Sequence, residues 1–156
     1  MNKQKTSIKQ RVVAHSFFRE LKPEHLEIVA SCATEAAFAP EAILFHEGEP
    51  ANRFYLIEAG RIALEAHEPA DRIVRVQELG AGDVLGWSWL FPPFVWHFRA
   101  RALEPTSVIV VNGAHLLVAC HEHHELGYAI MKRVAQIVIQ RLQAARKRLL
   151  ENIALQ

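Results

Sequence analysis

From Ala37 to Val111 no apolar run lasts long enough to make a helix, and nearly every one is cut off by Gly, Pro, Asn or Asp. The runs include Ile43-Leu44-Phe45, Phe54-Tyr55-Leu56-Ile57, Ile62-Ala63-Leu64 and Ile73-Val74-Arg75-Val76. Val84-Leu85, Trp96 to Ala102 and Ser107 to Val111 continue the series. Between them stand turn sequences: Glu47-Gly48-Glu49-Pro50, Ala59-Gly60, Pro69-Ala70-Asp71 and Gly80-Ala81-Gly82-Asp83. Many short strands joined by regular turns must close on each other to bury their apolar faces, which leaves a sandwich or a barrel.

Helices flank this β region. Phe17 to Ala33 reads as helix, with Pro23 where a first turn tolerates it and Leu26, Val29 and Ala30 on one face. Leu126 to Ile153 has no proline and, after Gly127, no glycine. There Met131, Ala135, Val138, Leu142, Ala145 and Leu149 step by four and three in alternation, a heptad seam that predicts a parallel homodimer. Ile130, Val134 and Ile137 give the same helix a second apolar face, suited to packing on the β domain. With 156 residues the chain supports one domain with a true core. The expected division is a single domain over 1–156, with an N-terminal helical part at 12–36, β strands at 37–112 and C-terminal helices at 114–153.

Composition removes several functional classes. A formal net charge of +1 gives no global field toward nucleic acid or membrane. The basic residues gather at the ends, Lys3 to Arg11 and Lys132 to Arg148, and read as solvated helix faces. The segment Val108 to Cys120 is broken by Asn112, Gly113 and His115 and cannot span a bilayer. MNKQKTSIKQR has no apolar core of a secretory signal, and Cys32 and Cys120 read as small buried groups in a reducing compartment. A cytoplasmic protein is expected. No phosphate-binding glycine loop, Gly-x-Ser-x-Gly or His-Glu-x-x-His occurs, and no nucleophile has an oriented base, so no enzymatic activity is expected.

The ordered glycines carry a resemblance. Phe18-x-x-Leu21-x-x-x-x-Leu26 is similar to the opening helix of the cyclic-nucleotide-binding domain of the catabolite-activator/fumarate-nitrate-reduction regulator superfamily. Ile43 to Glu49 resembles that family's I-x-x-E-G-E turn, and Phe54 to Ile62 its Y-x-I-x-x-G-x-V hairpin. Leu79-Gly80-Ala81-Gly82-Asp83-Val84-Leu85-Gly86 resembles its L-x-x-G-D-x-F-G stretch. The resemblance covers Phe17 to Leu149. It implies a mainly β fold with flanking α: an eight-stranded antiparallel β-roll (jelly roll), an N-terminal helix and a long C-terminal dimerisation helix.

In ligand-binding members of that family a phosphate-binding cassette follows the last glycine, with a Glu holding the ribose and an Arg pairing the cyclic phosphate. Here Trp87 follows Gly86, and counting back from Thr106 puts Phe98 in the Arg position. Alternation agrees: Trp96, Phe98, Ala100 and Ala102 form an apolar face, and His97, Arg99 and Arg101 a polar one. A cyclic phosphate would meet Phe where it needs a charge-assisted partner. A one-residue bulge would swing Arg99 inward and keep a cyclic AMP or cyclic GMP receptor as an alternative.

The replacement cassette, Gly86 to Phe98, holds all three tryptophans. It reads either as a pocket for an apolar or aromatic small-molecule effector or as rings that fill the vacated space. The first reading lines the pocket with Leu85, Gly86, Trp87, Ser88, Trp89, Leu90, Phe98, Arg99 and Ala100, with Trp87 facing the roll interior. The second makes the chain a ligand-free interaction scaffold. No cofactor is expected. His121-Glu122-His123-His124-Glu125 is read as a surface turn, not a metal site, because adjacent residues cannot all converge on one ion. Relatives that bind DNA carry a helix-turn-helix after the long helix; here the sequence ends at Gln156, and specific DNA binding is not expected. The reading is a stand-alone sensor or regulatory module acting on an unidentified partner protein.

Overall fold

A computed structural model describes residues 7–154. Eight strands form two four-stranded antiparallel sheets, flanked by four helices. One sheet runs in the order β1 (Ala33–Phe38), β8 (Thr106–Asn112), β3 (Arg53–Ala59), β6 (Val84–Leu85). The other runs β2 (Ile43–Phe45), β7 (Arg99–Ala102), β4 (Arg61–His67), β5 (Ile73–Gly80). The helices are α1 (Ile8–Ala14), α2 (Pro23–Ser31), α3 (Gly113–Glu122) and α4 (His124–Ala154). This is the expected β-roll with helices at both ends.

The expected boundaries shift. The division at residue 37 falls inside β1, which begins at Ala33 and pairs along β8 from Ala33 opposite Val111 to Phe38 opposite Thr106. The helix expected from Phe17 is a 3-10 turn, Ser16–Phe18, followed by α2 from Pro23. Glu20, with φ 67°, breaks the chain between them. Helix α1 begins ahead of the helical part expected from residue 12, and Ser7-Ile8-Lys9-Gln10 has the spacing of a capping box. The Ser7 hydroxyl accepts from the Gln10 amide, and the Gln10 side chain accepts from the Ser7 amide.

Strand β3 is buried on both faces because each face has its own core. Tyr55 and Ile57 point between the sheets, joining Ile62, Leu64, Leu79, Leu85, Ala100 and Val108. Phe54 and Leu56 point outward with Val84, Ile109 and Val111, under Val29 of α2, Leu116 of α3 and Ile130 of α4. Burying such side chains contributes about 1.5–3 kcal/mol each. The sheet thus separates a roll interior from a helix-side core, and this partition decides what the cassette does. At the β3–β4 turn only glycine fits: Gly60 has φ +99°, and a Cβ there would lie 2.4 Å from Thr106 Oγ1.

Candidate functional site

The cassette begins where β6 ends. Gly86 adopts φ +88°, a 3-10 turn covers Ser88–Leu90, and the chain crosses an extended loop to β7. That loop is tied back along the β2–β3 connection: the Gly48 amide donates to Trp96 O (2.8 Å), the Trp96 amide to Glu49 O (3.0 Å), and the Ala51 amide to Phe94 O (2.7 Å). These bonds hold the Trp96 backbone so that its ring enters the roll.

Inside, the Trp96 ring lies flat on Phe45, centroids 3.8 Å apart and planes 11° from parallel, with Tyr55 nearby at 6.3 Å. Its far edge reaches the backbone of Gly86 so closely that a Cβ there would stand 2.4 Å from Trp96 Cζ3. An intramolecular ring therefore occupies the space beside the glycine that opens the cassette. Trp96 is 5% exposed and belongs to the same apolar cluster as Leu85 and Ala100.

The other two tryptophans go the opposite way. Trp89 is buried in the helix-side core against Phe54 (centroids 5.7 Å) and over Gly113, where a Cβ would lie 2.7 Å from Trp89 Cβ. Its indole N–H is enclosed without a hydrogen-bond partner. Trp87 also packs on the helix-side core, half-buried, and the guanidinium of Arg141 on α4 lies over its ring. This corrects the expectation that Trp87 faces the roll interior. After Gly86 the chain turns across the sheet edge, so the first cassette rings are drawn toward the helices.

The nine expected ligand residues are accordingly not brought together. Leu85 and Ala100 line the roll interior, with Phe98 half-buried at its margin. Trp87, Trp89 and Leu90 lie on the helix side, and Gly86 and Ser88 are half-buried at the crossing. Arg99 belongs to neither group. Register shifts occur between β4 and β5 at Leu64/Glu65 and between β2 and β7 at Ile43/Phe45, where the extra residue lies on β2, whereas β7 stays in register with β4, Leu64 opposite Ala100 and Glu65 opposite Arg99. Arg99 thus remains on the outer face of its sheet.

There it is committed to a carboxylate. Glu65, 5% exposed, accepts from Arg99 Nη2 at 2.7 Å and from Arg101 Nη2 at 2.9 Å, and Arg101 also reaches Glu41 at 2.7 Å. Hydrogen bonds from Arg101, then from Arg99, hold the Glu65 carboxyl below the usual carboxylate range despite burial. The sequence separated the two arginines from the apolar face but did not reveal Glu65 as their partner. The alternation of β4, with Ile62 and Leu64 inward and Glu65 outward, carried that signal once β4 and β7 were paired.

Helix α4 divides as expected. Ile130 and Val134 are buried on the domain and Ile137 is half-buried. Met131, Ala135, Val138, Leu142, Ala145 and Leu149 are all exposed. Beyond the cassette, Arg141 donates to Val84 O at 2.5 Å, joining α4 to β6 directly. Burial lowers the Arg141 guanidinium to about 10, which leaves it charged at neutral pH. No helix among the described residues is long and apolar enough to cross a membrane.

The sequence model for the cyclic nucleotide-binding domain matches residues 35–123. Among solved structures, a candidate cyclic nucleotide-binding protein from Geobacter metallireducens GS-15 is 28% identical, with a TM-score of 0.77 over 88% of this chain and 99% of its own. A cyclic nucleotide-binding domain from Methylobacillus flagellatus KT is 21% identical, with a TM-score of 0.77 over 94% of this chain and 82% of its own. The catabolite activator protein of Thermus thermophilus shares the fold at 20% identity and a TM-score of 0.69, over 85% of this chain and 61% of its own. Comparison with curated proteins gives no match.

Proposed function

The chain belongs to the cyclic nucleotide-binding domain family, and from that premise we propose that it is a non-enzymatic regulatory module whose roll is filled by its own side chain instead of a cyclic nucleotide. The observation that carries this reading is the Trp96 ring, stacked on Phe45 and pressed against Gly86. A nucleotide entering there would have to expel a buried aromatic ring and its stacking partner, at about the 3–5 kcal/mol typical of removing such a ring from a core. Arg99 offers no compensation, since it lies on the outer face of its sheet and is paired there with the buried Glu65.

The output element is α4. Its exposed seam, Met131 to Leu149, supports a parallel homodimer, and contacts from Arg141 to Trp87 and Val84 join that helix to the cassette turn. A partner protein would read the angle or register of the paired helices. Of the readings drawn from sequence, the geometry favours the self-packed interaction scaffold over an aromatic-effector sensor, because the cassette residues divide between two cores.

Calorimetry of cyclic AMP and cyclic GMP against wild type and Trp96→Ala tests it. Wild type gives no binding heat at micromolar ligand. Micromolar affinity in wild type refutes the self-packed roll.

A further inference from the structure

Where α2 meets the first turn of α4, three donor side chains from two helices converge. Glu24 and His25 lie in the first turn of α2 and Glu125 in the first turn of α4. One ligand atom from each lies within 4.8 Å of the other two. His25 is only 6% exposed, yet its imidazole makes no hydrogen bond among the described residues. Its nitrogens are not sealed in, since the indole N–H of Trp89 is the one fully enclosed side-chain polar atom without a partner among those residues. The body of the imidazole is thus held by packing while its unpaired nitrogen opens toward two carboxylates.

We propose that Glu24, His25 and Glu125 form a binding site for a divalent transition-metal ion of the zinc class. One nitrogen and two oxygen donors leave a fourth, water-filled position in a tetrahedral shell. The all-oxygen preference of calcium and magnesium disfavours those ions. Zinc bonds to such ligands are about 2.0–2.2 Å long, so the donors must close by roughly an ångström. Glu24 and Glu125 are exposed, and the buried His25 is the anchor.

One internal cation competes for the site. Lys22 Nζ donates to Glu125 Oε1 at 2.6 Å, both side chains exposed. A metal ion has to displace it or use the other carboxylate oxygen. Bound, the ion would fasten α2 to the start of the helix that carries the exposed seam. The nearby His121, His123 and His124 are exposed, but among the described residues they are not part of a converging group of three donors, as Glu24, His25 and Glu125 are.

Titration calorimetry of the full chain with zinc tests the proposal, using variants that circular dichroism confirms as folded. The expected result is one zinc ion per chain and no comparable binding of calcium. Glu24→Gln and Glu125→Gln should each weaken affinity by about tenfold or more. Lys22→Ala, which removes the competitor, should tighten it. The triple variant His121→Ala, His123→Ala, His124→Ala should bind as wild type does. Absence of zinc binding in wild type overturns the site, as does loss of binding in the triple variant. Unchanged affinity in Glu125→Gln, weakened affinity in Lys22→Ala, or calcium binding equal to zinc overturns it as well.

Discussion

The guanidinium carbon of Arg141 lies 4.4 Å from the centre of the Trp87 ring, so the residue after the cassette glycine rests on the long helix and not in the roll. A cation over an indole face contributes about 0.5–2 kcal/mol, more as water is excluded. A double-mutant cycle with Trp87→Leu and Arg141→Met, read by urea unfolding, should return a coupling energy in that range. Strictly additive losses would mean that the two residues merely adjoin.

Trp96→Ala should destabilise the protein by about 3–5 kcal/mol and leave an apolar cavity lined by Phe45, Tyr55 and Leu85. Such cavities stay dry and take up small aromatic molecules. Indole or benzene should therefore raise the Tm of Trp96→Ala and leave that of wild type unmoved. An equal shift in both proteins would place a pre-existing pocket in the wild-type roll.

Gly86→Ala meets two obstacles at once, a positive φ and the Trp96 ring 2.4 Å from the new methyl carbon. Strain of this kind costs of order 1–3 kcal/mol. Combining it with Trp96→Ala should remove the steric part and leave the backbone part, so the double variant should lose less than the sum of the singles. Chemical denaturation measures this directly.

Two groups set the acid side of the stability profile. His15 Nε2 donates to Ile57 O (3.2 Å) and Nδ1 accepts from the Phe17 amide (3.2 Å), which fixes the neutral ring. Burial lowers its pKa from 6.5, opposed by the Ile57 hydrogen bond and by Glu58 and Asp83. The unfolded chain therefore takes up this proton first, and His15 stabilisation, complete above 6.5, should decline as pH falls from there. Glu65, whose pKa is depressed from 4.5 by Arg101 and Arg99, contributes stability that is complete above 4.5 and lost as pH falls through its folded value. Unfolding free energy should drop in two stages, and His15→Gln should flatten only the upper one. A single stage below 4.5 in wild type would remove His15 from the account.

The seam on α4 predicts a dimer in solution. Val138→Glu with Leu142→Glu should give a folded monomer by light scattering, because both residues are exposed in the single chain, and should remove the concentration dependence of unfolding that a dimer shows. A double variant that stays dimeric would exclude the seam as the interface.

What the sequence made legible was whatever local chemistry decides. Gly60 and Gly86 mark turns that no other residue fits, and α4 reveals two faces through its own periodicity. The capping box of α1 is equally local, Ser7 and Gln10 exchanging hydrogen bonds within a segment whose basic residues otherwise read as solvated surface. The direction taken by each cassette ring was not local. Trp96 enters the roll because backbone bonds to Gly48 and Glu49 aim it there, and Trp87 leaves because Arg141 waits for it about fifty residues on. Glu65 likewise became a partner for Arg99 and Arg101 only through pairing of β4 with β7.

The placement of Trp96 changes what can vary in such a roll. A diffusible occupant stabilises its receptor in proportion to the logarithm of its concentration, so the occupied fraction follows supply. A ring attached to the chain has an effective concentration set by covalent geometry, and no metabolic change dilutes it. On the proposed reading, the roll interior holds its occupant from the moment the chain folds, whatever the supply of small molecules around it.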